Sequence, residues 1–316
     1  MKKDYIWPVV GLIAVAFSAY LLYHQLRDIS YDDIVNSLQA IPLNGWLFAG
    51  LATVGAYVAL AGYDRLALSH LRKKISWRFI SVASFTAYAI GHNLGASVFS
   101  GAVVRYRAYS SQGLSGADVG VLVAFCSFTF ALGSILLGGI VLVTQPSMLG
   151  RFNEDLPEWV GLSAGIGMLT LVALYILGSV LKFKPLKIRK FSLEYPSIRI
   201  VWRQLLIGPL ELLAAAAIIY FALPEASNPG YLLVLGIFLA SFSAALISHA
   251  PGGLGVLEVM FLLALPDIDP ADVVAALLIF RLFYLLIPFA LSLIFVVLFE
   301  HDQWMNRFRN RSQNNE

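Results

Sequence analysis

The chain has little charge for its length. Only 13% of its 316 residues are Asp, Glu, Lys or Arg, whereas 59% are hydrophobic and the mean hydropathy is +0.77. Soluble domains of ordinary composition carry about 25% charged residues. Several apolar runs reach the roughly 20 residues that are needed to cross about 30 Å of hydrocarbon. The composition therefore excludes an ordinary soluble domain and predicts an all-α polytopic membrane protein.

The chain also lacks the residue sets of several chemistries. Its single cysteine, Cys126, excludes an internal disulfide and a Cys/His metal set. Because it lies in an apolar run, we expect it to be a small core residue. There is no HExxH, no aspartate-rich metal motif, no P-loop and no Ser/Lys or Ser/His pair at catalytic spacing. We therefore predict no metal, no cofactor and no enzymatic activity.

The apolar runs predict six full spans and two interrupted stretches. We place the spans at about 5–24, 45–67, 118–144, 158–181, 205–223 and 273–300, and the interrupted stretches at about 79–100 and 231–264. The first run exceeds the 7–15 apolar residues of a signal peptide and lacks a clean cleavage site, so we expect a retained span.

The distribution of basic residues predicts how the spans are oriented. With a cytoplasmic N-terminus, 19 of the 22 Lys and Arg residues fall on the cytoplasmic side, and the outer loops are acidic. Both termini are then cytoplasmic. Each interrupted stretch begins and ends on the same side, which predicts two re-entrant hairpins; the alternative is that each stretch crosses the membrane once.

Two similar segments lie in these interrupted stretches. SFTAYAIGHNLG (84–95) and SFSAALISHAPG (241–252) are identical at six of twelve positions with an offset of 157 residues, which also carries predicted spans onto one another. We interpret a single membrane domain, 1–316, as two halves of opposite orientation, 1–150 and 158–301, followed by a basic cytoplasmic tail at 302–316. Inverted repeats with interrupted helices are typical of secondary transporters. The expected break residues are Gly91, His92, Gly95, His249, Pro251, Gly252, Gly253 and Gly255.

Charged residues inside the predicted spans are the candidate functional residues. A charge at the centre of a membrane helix costs about 2.5–3.5 kcal/mol on insertion scales, so such residues are rare without a role. Glu258 and Arg281 are predicted at similar depth near the outer side, as partners or as joint liners of an outward cavity; a purely structural salt bridge is the alternative. A second group lies toward the cytoplasm: Asp64, Arg105, Arg107 and Glu211.

Purely structural roles are alternatives for several of these residues. Arg107 fits simple anchoring by basic residues at the cytoplasmic surface. His92 and His249 fit the role of donors to carbonyls that the hairpin breaks leave free. The basic segment from Lys182 to Arg203 has interleaved aromatic residues, yet in a membrane protein attraction to anionic lipid is the simpler interpretation. We expect membrane phospholipids as partners and no nucleic acid, and leave open a homo-oligomer or a lipid-synthesis partner.

Four motifs carry a family resemblance. GYDRLAL, VVRYRAYSSQGLS, SHAPGGLGVLEVMFLLAL and AALLIFRLFYLLIPFALSL resemble the lysylphosphatidylglycerol synthase/flippase transmembrane domain family, over about residues 5–300. The resemblance implies translocation of an anionic or aminoacylated phospholipid between the leaflets of the bacterial inner membrane. By position, the family's functional residues match Asp64, Arg105, Glu211, Glu258 and Arg281. Fused members carry a soluble aminoacyltransferase domain after the membrane part, so we expect that this chain, ending at Glu316, does not itself make an aminoacyl lipid.

These observations predict a lipid flippase or translocase-like transporter. The alternatives are a non-catalytic membrane subunit of a lipid-synthesis or envelope complex and, less well supported, an intramembrane enzyme that acts on a lipid headgroup.

Overall fold

The computed structural model describes residues 30–94, 97–181, 186–188, 191–193, 196–248 and 251–299. The helices in these ranges are α1 (Tyr31–Ala40), α2 (Leu43–His70), α3 (Trp77–Leu94), α4 (Ser97–Ser110), α5 (Gly116–Thr144), α6 (Glu158–Val180), α7 (Ile198–Ala222), α8 (Tyr231–Ser248), α9 (Val256–Ala264) and α10 (Pro270–Phe299). Short 3₁₀ turns lie at Pro146–Arg151, Glu225–Ser227 and Pro251–Gly253. A π-helical turn, Arg281–Leu286, lies within α10.

The prediction of a helical membrane protein is confirmed. Six helices in the described ranges are long and apolar enough to cross a bilayer: α2, α5, α6, α7, α8 and α10. All but α8 coincide with predicted spans, and the predicted span at 5–24 lies outside the described residues. Helix α8 belongs to a predicted interrupted stretch, although its 18 residues are about 27 Å long at 1.5 Å per residue. The chain is a multi-pass membrane protein.

Helices α2 and α7 form the centre of the molecule and pack along each other. Helix α5 packs against α7 where two glycines meet: a Cβ added at Gly133 would lie 2.7 Å from the Gly208 carbonyl oxygen. Glycine at this crossing therefore lets the two backbones touch. Helix α6 lies at the periphery, because only 17% of its most apolar 18-residue stretch is buried, as expected for a helix that faces lipid.

Helices α3 and α4 form the first hairpin. They run antiparallel, since Gly101 lies beside Ala87 and the ring of Tyr109 lies 5.9 Å from that of Phe79. The prediction that this hairpin breaks at Gly91 and His92 is wrong, because α3 continues through both to Leu94. An interior glycine costs a helix only about 1 kcal/mol relative to alanine, which the packing of α3 against its neighbours offsets. The expected break residue Gly95 lies outside the described residues.

Helices α8 and α9 form the second hairpin, and its break falls where the sequence predicts it. Pro251–Gly253 form a 3₁₀ turn, and Gly252, Gly253 and Gly255 have φ of 57°, 64° and 79°. These left-handed conformations favour glycine, which has no Cβ. His249 lies outside the described residues.

Two long helices of the first half have counterparts close to the predicted offset. An offset of 157 carries α2 onto 200–227 and α5 onto 273–301, close to α7 and α10. The opposite orientation of the two halves and the re-entrant placement of their hairpins stay predictions, because both depend on where the bilayer lies.

The basic connection between α6 and α7 includes a short antiparallel strand pair, β1 (Leu186–Ile188) and β2 (Phe191–Leu193), in which Leu186 faces Leu193. The fold is therefore all-helical apart from this pair in the described ranges.

Candidate functional site

A small cavity of about 120 Å³ lies where the two hairpins approach α2, α5 and α7. Its polar lining comes from distant parts of the chain: Tyr63, Tyr88, His92, Arg105, Cys126, Ser127 and Glu211. The hairpins meet beside it, since a Cβ added at Gly252 would lie 3.9 Å from the His92 carbonyl oxygen. The fold therefore brings two of the predicted site residues, Arg105 and Glu211, to one cavity.

Arg105 is bound by the carboxylate of Asp64, which joins α4 to α2. The Arg105 Nε donates to Asp64 Oδ1 and Oδ2 at 3.2 Å each, and a terminal nitrogen donates to Oδ1 at 3.0 Å. Tyr109 donates to Oδ2 at 2.8 Å, and the Cys126 thiol lies 3.5 Å from Oδ1. The Asp64 side chain is fully buried and that of Arg105 is 5% exposed. A buried pair is favourable only with such additional hydrogen bonds.

The Arg105 guanidinium also lies over an aromatic ring, with its Cζ 4.2 Å from the ring centroid of Tyr88. The electron-rich face of the ring attracts the guanidinium cation. Arg105 is thereby held between a carboxylate and an aromatic wall of the cavity.

Glu211 is the least satisfied charged residue at the cavity. It is buried on α7, and the Tyr284 hydroxyl donates a short hydrogen bond to its Oε1. Its Oε2 has no hydrogen-bond partner, and no salt bridge reaches it in the described part of the chain. An unpaired buried acceptor costs about 1–3 kcal/mol, so the fold retains Glu211 at a cost.

His92 presents a second unsatisfied acceptor or donor. Its buried Nδ1 has no hydrogen-bond partner within the described ranges, and its ring stacks on that of Tyr284 at 5.3 Å. Tyr284 thus contacts both residues, through its hydroxyl and through its ring. The expectation that His92 satisfies a freed backbone carbonyl has no support in these contacts.

Glu258 and Arg281 form the second ion pair, as their similar depth in the sequence predicts. The Arg281 Nε donates to Glu258 Oε1 at 2.7 Å, and a terminal nitrogen lies 2.6 Å from the same oxygen. Arg281 also donates to the carbonyls of Gly252 at 2.9 Å and Gly253 at 3.4 Å. It therefore satisfies carbonyls that the break leaves free and ties the second hairpin to α10.

Glu258 also closes the start of α9. The Gly255 N–H donates to its Oε2 at 2.9 Å, which is the reach of an N3 side chain back to the helix start. This helix end is thus occupied by the protein's own carboxylate. Neither Glu258 nor Arg281 is among the residues that line the central cavity.

The π-helical turn of α10 forms a junction with α2 and α3. The Tyr57 hydroxyl donates to the Tyr284 carbonyl at 3.0 Å, and the Asn93 amide donates to that of Leu285 at 3.1 Å. Such turns interrupt regular helices frequently at functional sites.

Arg107, a predicted site residue, is exposed and lies away from the cavity lining.

Sequence reasoning missed the tyrosines around this junction. Tyr109 follows Arg105 by four residues and Tyr284 follows Arg281 by three, so helical spacing places each beside its arginine. That spacing was an available signal. Tyr63, which donates to the Gly208 carbonyl at 2.8 Å, has no comparable signal in the sequence.

Together these features of the described residues define a class: a polytopic helical membrane protein with one buried and one partly buried ion pair and a polar cavity where helical hairpins meet. Residues 11–292 match the family model described as the lysylphosphatidylglycerol synthase TM region. The chain belongs to this family, which confirms the resemblance.

Several curated relatives align with most of this chain. An uncharacterized protein of Synechocystis sp. is 30% identical over 308 residues, covering 96% of this chain and 94% of its own. The inner membrane protein YbhN of Escherichia coli is 33% identical over 267 residues, covering 83% and 82%. Phosphatidylglycerol lysyltransferase of Staphylococcus haemolyticus is 25% identical over 303 residues, but these are 92% of this chain and only 33% of the enzyme.

Proposed function

We propose that the protein is a lipid translocase that moves an anionic or aminoacylated phospholipid between the leaflets of the bacterial cytoplasmic membrane. The observation that carries the proposal is the central cavity, where Glu211 Oε2 and His92 Nδ1 have no hydrogen-bond partner among the described residues. Unsatisfied polar atoms at membrane depth are expensive and mark substrate pathways.

The two ion pairs suggest how the path opens. Asp64–Arg105 fastens the first hairpin to α2, and Glu258–Arg281 fastens the second to α10. We infer that translocation requires each hairpin to move in turn, as in transporters built from repeats around a fixed site.

The relatives support the location and the kind of substrate. The name of YbhN places that relative in an inner membrane, and the name of the lysyltransferase specifies phosphatidylglycerol as what that enzyme acts on. We infer the same membrane for this chain, with both termini cytoplasmic, and a phosphate-bearing lipid as substrate. We infer transport rather than catalysis, because residues 11–292 match the membrane region of the synthase family.

The test is lipid exchange in liposomes that contain the purified protein and headgroup-labelled phosphatidylglycerol, with an impermeant quencher outside. The wild type is expected to bring inner-leaflet label to the outer leaflet. Glu211→Gln is expected to slow exchange about tenfold or more, because a charged hydrogen bond is worth about 1.5–3 kcal/mol. The matched control is Glu225→Gln, the same change at an exposed position.

Three results would contradict the proposal or its site. No exchange by wild-type protein would favour the non-catalytic subunit, and covalent change of the headgroup by purified protein would favour the enzyme. Equal exchange by wild type and Glu211→Gln would remove the cavity from the path.

A further inference from the structure

A second, separate cavity opens at the C-terminal end of α2. It has a volume of about 600 Å³ and lies between α2, the start of α3 and the start of α7. Four cations line it, together with mainly apolar side chains: Arg65, Lys73, Lys74 and Arg203. We call it the basic groove. It shares no lining residue with the central cavity.

Most of the charge in the basic groove is not neutralised. Lys73 pairs with Asp118 at 3.2 Å. Arg65, Lys74 and Arg203 are exposed and form no salt bridge within the described ranges, and no acidic side chain lines the groove. Arg65 instead lies 5.4 Å from the ring of Trp77. Arg65 comes from α2, Arg203 from α7 and Lys74 from the connection between α2 and α3. Three cations on one groove, with no carboxylate among its described lining residues, favour an anionic ligand.

An apolar groove of about 600 Å³ adjoins the basic groove and shares Trp77 as a wall. It lies between α2, α3 and α10, and its lining includes Val54, Val58, Val82 and Leu291. Along α2 it extends from Gly50 to Ala61, about 16 Å at 1.5 Å per residue. This length is close to half of the roughly 30 Å hydrocarbon thickness, which is one leaflet.

We propose that these two grooves together bind one anionic phospholipid, with its phosphate among Arg65, Lys74 and Arg203 and one acyl chain in the apolar groove. Guanidinium groups bind phosphate oxygens through paired, charge-assisted hydrogen bonds, and Trp is favoured at the boundary between headgroups and acyl chains. The continuity of the basic and apolar walls is what selects a lipid over free phosphate. The site is distinct from the proposed translocation path and does not depend on it.

The first experiment measures lipid retained by purified protein in mixed micelles, by native mass spectrometry with phosphatidylglycerol and phosphatidylcholine as competing probes. Wild-type protein is expected to retain phosphatidylglycerol preferentially. A basic residue near a membrane surface contributes about fivefold in affinity, so Arg65→Ala with Arg203→Ala is expected to weaken retention about 25-fold. The matched control is Arg78→Ala with Arg199→Ala, two exposed arginines on α3 and α7 outside the groove.

The second experiment tests the acyl chain, using phosphatidylglycerol that carries a photoreactive group in its tail. Cross-links are expected on α2 and α3 residues of the apolar groove. Val58→Trp is expected to reduce them by filling the groove, whereas Leu51→Trp, an exposed position on the same helix outside the lining, is not.

The proposal is overturned if the groove pair and the control pair lose lipid equally, or if inorganic phosphate displaces the lipid as readily as phosphatidylglycerol does. It is also overturned if the photoreactive lipid cross-links to the apolar groove of wild-type and Val58→Trp protein to the same extent. Failure of lipid exchange in liposomes leaves it standing, since binding here is measured without transport.

Discussion

The Asp64–Arg105 pair gives a quantitative prediction for the stability of the first hairpin. Arg105→Leu leaves the buried Asp64 carboxylate with the Tyr109 hydroxyl and the Cys126 thiol as its side-chain partners among the described residues. Removing one partner of a buried ion pair costs about 3–5 kcal/mol, and Asp64→Leu is expected to cost a similar amount. The double variant replaces both charges by apolar side chains and is expected to cost less than either single change.

The assay is denaturant unfolding in mixed micelles, followed by fluorescence of the six tryptophans. The control is Lys73→Ala, which breaks the Lys73–Asp118 pair at 3.2 Å with side chains 37% and 24% exposed. That pair is expected to contribute about 1 kcal/mol or less. The reasoning is refuted if Arg105→Leu costs no more than Lys73→Ala, or if the two single costs simply add in the double variant.

Three further predictions concern contacts made by residues of α7 and α10. Tyr284→Phe removes the donor to Glu211 and should lower the free energy of unfolding by about 1–3 kcal/mol; an unchanged value would show that the bond is not formed. Gly208→Ala places a Cβ 2.7 Å from a backbone oxygen of α5 and should lower the free energy of unfolding by about 1–3 kcal/mol. The control Gly120→Ala has open space around its Cβ and should leave that free energy unchanged or raise it in the same assay. Arg281→Lys keeps the charge but loses the guanidinium fork to the hairpin carbonyls, so hydrogen exchange of the α8–α9 turn should accelerate about tenfold; equal exchange would mean that the fork does not hold the turn.

Much of the fold could be predicted because the bilayer imposes simple requirements on the chain. Long apolar runs must be helical to satisfy their backbone groups, which predicted α2, α5, α6, α7 and α10. The left-handed glycines of the second hairpin were predictable from the cluster at 251–255. The continuation of α3 through Gly91 was not predicted, because a lone glycine does not by itself end a helix that packs against its neighbours.

Contacts of the candidate site were predictable only where the depth of two residues along their spans was enough to pair them. Glu258 and Arg281 were paired by their similar distance from one end of the membrane. The bond from Tyr284 to Glu211 joins residues 73 positions apart and arises from the packing of α7 against α10, which no local pattern specifies. The same holds for the basic groove, whose Arg203 comes from a helix far along the chain from Arg65.

The central claim is that the cavity beside Glu211 opens to each side of the membrane in turn. The most direct measurement is labelling of Ser127→Cys, a cavity-lining position, by an impermeant maleimide applied from either side of sealed vesicles, in a Cys126→Ser background. The account predicts labelling from both sides, slowed when phosphatidylglycerol is added. Labelling from neither side or from one side alone, in protein that still exchanges lipid between leaflets, would contradict it.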